Sequence, residues 1–152
     1  MKPEKIESFK IDHNKLTEGI YVSRRDGDII TYDLRTRRPN MGDYMDNITM
    51  HSVEHMIATY IRSSKIGNSV IYFGPMGCRT GFYLLVKGIT NEETLDALKE
   101  CLTLTINHEG DVFGASAIEC GNYMELDINA AKTECRRFLD ILNSKTHTFL
   151  YD

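Results

Sequence analysis

Between Asn47 and Arg62 the apolar residues Met50, Val53, Ile57, Tyr60 and Ile61 recur at spacings of three and four, the period of a helix with one buried face. The same turns carry His51 and His55, four residues apart, so both imidazoles leave the helix on one side and can converge on one point. Glu54 stands beside them. A chain built this way must lay that helix against a core while keeping a polar, metal-competent edge accessible. Most all-β and fibrous architectures offer no place for such a segment.

The surrounding pattern supplies the core. Ile20 and Val22 alternate with polar residues, Arg25-Asp26-Gly27-Asp28 reads as a turn, and Ile29, Ile30 and Tyr32 resume the alternation, which predicts a hairpin. Residues 69–73 and 81–87 predict two further strands separated by the turn Gly74-Pro75-Met76-Gly77. Thr90-Asn91-Glu92-Glu93 has the form of a capping box and leads into Leu95, Leu98, Leu102 and Ile106 at helical spacing. A last helix is expected near Asp127, burying Ile128, Ala131, Cys135, Phe138, Leu139 and Leu142. The order β-β-α-β-β-α-(β)-α, with a short strand allowed for between the last two helices, predicts an α+β fold with a mainly antiparallel sheet packed against helices. At 152 residues, with no repeat, linker or low-complexity segment, one domain over 1–152 is expected.

The formal charge is −4 and no basic stripe is present, which argues against nucleic acid as a partner. The cluster Arg35, Arg37 and Arg38 is better suited to one small anion. No apolar run approaches the roughly 18 residues of a membrane span, and Met1 to Lys5 leads into polar sequence without a signal-peptide core, so a cytoplasmic protein is expected. In a reducing compartment Cys78, Cys101, Cys120 and Cys135 are expected to be thiols, because no Cys-x-x-Cys pair or dense framework is present.

Two imidazoles rarely retain a divalent ion without a third donor. Cys120, in Glu119-Cys120-Gly121-Asn122-Tyr123, is the best candidate: a thiolate is a strong ligand, and Gly121 lets the backbone come close. Two His and one Cys leave a coordination position open, as a catalytic site requires. Cys101 and Cys135 fall on or beside apolar helix faces and read as core residues; His13, His108 and His147 have no comparable neighbours. Cys78 lies in Gly74-Pro75-Met76-Gly77-Cys78-Arg79-Thr80-Gly81, too rich in turn residues for a core strand. The adjacent Arg79 would favour its thiolate and make it usable as a base. The His51-x-x-Glu54-His55 order also occurs in inverzincin peptidases. A peptidase, in which Glu54 would activate water, and a non-catalytic metal-binding module are therefore the rival readings.

Taken together, Glu7-Ser8-Phe9 with Asp12-His13, Asp33-Leu34-Arg35 with Arg38-Pro39-Asn40, His51-Ser52-Val53-Glu54-His55, Pro75-Met76-Gly77-Cys78-Arg79-Thr80-Gly81-Phe82-Tyr83 and Glu119-Cys120-Gly121-Asn122-Tyr123 resemble the S-ribosylhomocysteine lyases (LuxS). The resemblance implies a metal-dependent carbon–sulfur lyase. Such an enzyme cleaves S-ribosylhomocysteine to homocysteine and 4,5-dihydroxy-2,3-pentanedione, the autoinducer-2 precursor of quorum sensing. It implies a homodimer with two active sites at the subunit interface, each using Fe²⁺, readily replaced by Zn²⁺ or Co²⁺, one ion per subunit. By resemblance the ligands are His51, His55 and Cys120, and the proton carriers Cys78 and Glu54. Ser8, His13, Arg35 and Arg79 would contact substrate, with Ser8 and His13 reaching across from the other subunit. The chain departs from the family pattern at Tyr72, where many members have an acidic residue, at Gly74, in place of a common Ser, and at Met124-Glu125-Leu126-Asp127, a segment that often contains His.

Overall fold

The computed structural model describes residues 1–151. Strands β1 (Gly19–Asp26), β2 (Ile29–Arg35), β3 (Val70–Pro75) and β4 (Gly81–Lys87) form one antiparallel sheet in the order β1-β2-β4-β3. Helices α1 (Asn47–Ser63), α2 (Asn91–Ile106) and α3 (Ile128–Asn143) complete a single α+β domain. None of these helices is long and apolar enough to cross a membrane.

The strand alternation sorts side chains between two faces. Ile30, Tyr32 and Leu34 of β2 pair with Val86, Leu84 and Phe82 of β4, and all six are buried in one cluster with Val53, Met56, Ile57 and Ile61 of α1, Leu98 and Leu102 of α2, and Phe138 and Leu142 of α3. The intervening residues Asp33, Arg35 and Tyr83 point to the opposite face. Each helix start has a local cause. The Asp46 carboxylate accepts the Thr49 N–H at 2.7 Å, a contact that holds this carboxyl below its ordinary range. The capping box is complete: Thr90 Oγ1 accepts from the Glu93 N–H, and the Glu93 carboxylate accepts from the Thr90 N–H. Asp127 caps α3, and its own N–H donates to the buried Ser52 Oγ at 2.8 Å, which ties the start of α3 to the helix that carries the two histidines.

Two expectations are corrected. No strand forms between α2 and α3: residues 107–127 run as an irregular loop with one short helical turn at Tyr123–Glu125. The arginine cluster is not an anion site, because two of its members are used internally. Arg35 forms a bidentate pair with Asp33, at 3.1 and 2.7 Å, with both side chains buried. Arg37 grips the carboxylate of Glu134 at 2.9 and 2.6 Å, which explains how Glu134 can be buried on the apolar face of α3. Burial works against the Arg35 charge, yet the Asp33 carboxylate outweighs it and the guanidinium is held above its ordinary range.

The segment around Phe149 lies beside the β1 edge in parallel, bridging Tyr21. Val22 N–H donates to the Phe149 carbonyl at 2.8 Å, and Tyr151 stacks on Tyr21 with 5.1 Å between ring centroids. The Tyr151 hydroxyl donates to Asp33 at 2.7 Å; burial, with that carboxylate, pushes the phenol far above its ordinary range.

Candidate active site

The structure brings His51, His55 and Cys120 together, with one donor atom from each lying within 4.8 Å of the others. α1 supplies both rings, 4.7 Å apart at their centroids, and the long loop after α2 returns Cys120 to them. Cys120 Sγ stands 3.4 Å from His51 Nε2. A tetrahedral ion with nitrogen at about 2.0 Å and sulfur at about 2.3 Å needs a separation of roughly 3.5 Å between those donors, so the three side chains fit one cation. His55 Nδ1–H donates to the Phe113 carbonyl at 2.7 Å, which leaves Nε2 as the free donor of that ring. The loop that bears this carbonyl is held in turn by α1: Tyr60 Oη donates to His108 Nδ1 at 2.7 Å, and Phe113 packs edge-on against both rings. Gly114 passes so close to His55 that a Cβ there would lie 3.1 Å from Nδ1.

Glu54 is half-buried and lines a cleft of about 320 Å³ with His55, Ala58, Phe73, Phe113 and Glu119. A second cleft, of about 300 Å³, gathers Ser8, His13, Arg35, Cys78 and Tyr83. The two clefts share no residue, so on one chain the structure does not unite Cys78 with Glu54.

Cys78 is exposed at the β3–β4 turn, as the glycine-rich sequence predicts. The cation beside it is Arg35, not its chain neighbour: Arg35 Nη1 points at Sγ from 3.8 Å and donates to Thr80 Oγ1 at 2.8 Å. Arg79 takes a left-handed backbone conformation and lies over the Tyr44 ring, outside the cleft. Strand pairing explains the exchange, since Arg35 on β2 stands opposite Gly81 at the end of the turn. His13 Nδ1–H donates to the Ile11 carbonyl at 2.9 Å, which leaves Nε2 as its free nitrogen.

Tyr72 and Gly74 form one feature. The Tyr72 ring lies across Gly74, where a Cβ would meet the phenol oxygen at 2.1 Å. A side chain at position 74 would therefore displace the ring. Cys101 and Cys135 are buried core thiols, each pushed up to about 12 chiefly by burial. Both stay protonated at pH 8. In the folded protein a thiol reagent is accordingly expected to modify Cys78 rapidly and Cys101 and Cys135 only after unfolding, which timed alkylation with peptide mapping would check.

Comparison with known proteins decides the family. Residues 6–148 match the model described as S-Ribosylhomocysteinase (LuxS). The chain belongs to that family. Relatives named S-ribosylhomocysteine lyase include one from Finegoldia magna, 45% identical over 97% of each chain, and one from Clostridium beijerinckii, 42% identical over 97% of this chain and 98% of its own. A third, from Desulfotalea psychrophila, is 41% identical over 93% of both. The LuxS match includes α1 and the loop after α2, and hence all three donors of the cluster.

Sequence reasoning missed two polar partners of this site. The Phe113 carbonyl is a backbone group and leaves no mark in residue identity. Glu125, whose carboxylate lies 3.4 Å from His51 Nδ1, sits in a segment read only as a departure from the family pattern.

Proposed function

We propose that this chain is a metal-dependent lyase that cleaves S-ribosylhomocysteine to homocysteine and 4,5-dihydroxy-2,3-pentanedione. The observation that carries the reading is the convergence of His51, His55 and Cys120, two imidazoles and a sulfur that would leave a fourth position of a bound cation open. The family and the names of its relatives agree with it. A peptidase with this helix motif would take a downstream glutamate as its third ligand, and the sulfur of Cys120 stands there instead.

The reaction requires two carbonyl shifts along the sugar and a β-elimination that expels the homocysteine sulfur. A divalent cation would be held by His51, His55 and Cys120, donors that suit Fe²⁺, Zn²⁺ and Co²⁺ alike, and would supply Lewis-acid polarisation of a sugar carbonyl. Each shift removes a proton from one carbon and delivers one to its neighbour. Cys78, beside the Arg35 guanidinium, and Glu54 are the groups that move these protons. Arg35 is held rigidly by Asp33 and Thr80, so its charge can orient the Cys78 sulfur and a substrate hydroxyl without losing position. Ser8 and His13 line the same cleft and serve substrate binding.

The working unit is a homodimer. Three observations support it: the Cys78 cleft and the Glu54 cleft share no residue on one chain, Phe9 in the Cys78 cleft is largely exposed, and Ile118 and Met124, flanking Cys120, project into solvent. Two copies related by a twofold axis would set the cleft of Ser8, His13, Arg35 and Cys78 from one chain over the metal cluster of the other. The protein is read as cytoplasmic, where a ferrous ion and reduced thiols persist, and its product as a precursor for quorum sensing and its activity as a step in methyl-cycle recycling.

The decisive experiment is anaerobic purification followed by thiol release from S-ribosylhomocysteine, with the metal content measured on the same sample. Release of homocysteine that scales with bound metal is expected. Metal without thiol release would leave only a binding module, and cleavage of an unstructured protein would favour a peptidase.

A further inference from the structure

His51 Nδ1 is buried and has no hydrogen-bond partner among the described residues. This nitrogen cannot be left out of account, because a neutral imidazole that presents Nε2 to a cation carries its proton on Nδ1. A buried N–H without an acceptor is destabilising, because it has given up its water without a replacement. The corresponding nitrogen of His55 is satisfied by the Phe113 carbonyl. The group that faces His51 Nδ1 is the carboxylate of Glu125, with Oε2 at 3.4 Å.

We propose that Glu125 is a positioning residue of the metal centre: it accepts the Nδ1–H of His51, holds that ring with Nε2 towards the cation, and is itself set in place by Asn122. The inference rests on the metal-centre reading above and adds to it a residue outside the donor cluster. Asn122 makes the arrangement specific, because it touches both partners. Its side-chain Nδ2 donates to Glu125 Oε2 at 3.1 Å, and its backbone N–H donates to Cys120 Sγ at 3.4 Å. Cys120, Asn122, Glu125 and His51 thus close a ring of contacts through one short segment, with the cation as its last member.

Two physical consequences follow. The carboxylate strengthens His51 as a donor by drawing on its remote N–H, and it brings a second negative charge near the ion beside the Cys120 thiolate without occupying the open position. Since the acceptor for His55 belongs to the backbone, Glu125 is the one orienting group here that substitution can remove directly.

The test uses the whole protein stripped of metal and reloaded with Co²⁺ alone. Affinity is measured by competition with a chromophoric chelator, and the thiolate-to-cobalt absorption band reports whether Cys120 still binds. E125A is expected to lose about 10–100-fold in affinity while keeping the thiolate band. E125Q, whose amide oxygen still accepts the proton but carries no charge, is expected to fall between E125A and the parent. Met124→Ala alters an exposed neighbour and is expected to match the parent. Equal affinity of E125A and parent would overturn the proposal, as would an equal loss in Met124→Ala, which would assign the effect to the segment and not to the carboxylate. A parent protein that binds Co²⁺ without the thiolate band would instead refute the metal centre itself.

Discussion

Cys78→Ala is expected to lower homocysteine release by about 10²–10⁴-fold, the ordinary contribution of a positioned proton carrier, while leaving the metal content at the parent level. The second half of the expectation comes from geometry. Cys78 is absent from the donor cluster, and its contacts run to Arg35 and Thr80 on the opposite face of the sheet from the helices. The turn itself is held by backbone hydrogen bonds of Met76 with Gly81 and of Arg79 with Met76, which do not involve the thiol. A metal assay and a turnover assay on one preparation give the answer. Release at close to the parent rate would remove Cys78 from the mechanism.

Mixing two inactive proteins is expected to restore activity. If Glu54 and Cys78 of each working site come from different chains, a hybrid of one Cys78→Ala subunit and one Glu54→Gln subunit contains one intact site and one doubly defective site. Random exchange of equal amounts makes half of the dimers hybrid, so the mixture should recover about a quarter of the parent activity from components that have almost none. Co-expression with two tags, followed by the thiol-release assay on the doubly tagged fraction, measures it directly. A doubly tagged hybrid as inert as its parents would place both residues of a site on one chain and end the interfacial arrangement.

What could be read in the sequence was what local chemistry determines. The helix bearing His51 and His55, the Thr90–Glu93 capping box and the turn that carries Cys78 depend on residues within a few positions of one another, and each appears where the pattern puts it. Pairings fixed by register and tertiary packing were beyond such reading. Arg35 reaches Cys78 across 43 positions of chain and Arg37 reaches Glu134 across 97, and both depend on which strand or helix lies alongside. The adjacency of Arg79 and Cys78 in sequence therefore misled, because a left-handed residue after the thiol turns that guanidinium away. Cys120 was legible as a candidate donor by its chemistry, and the structure places it against both imidazoles. The groups that orient the imidazoles were not legible, one being a backbone carbonyl and the other a glutamate in an irregular loop.

The loop after α2 brings to α1 both the Phe113 carbonyl that sets one imidazole and the sulfur of Cys120. Capture of a cation there would be coupled to seating of that loop, and would stabilise the seated form in proportion to the logarithm of one plus its concentration over its dissociation constant. Escape of such a cation would be paced by opening of this loop and not by unfolding of the domain. Amide protons between Phe113 and Cys120 should consequently exchange slowly in the loaded protein and quickly in the stripped one, with the sheet unaffected.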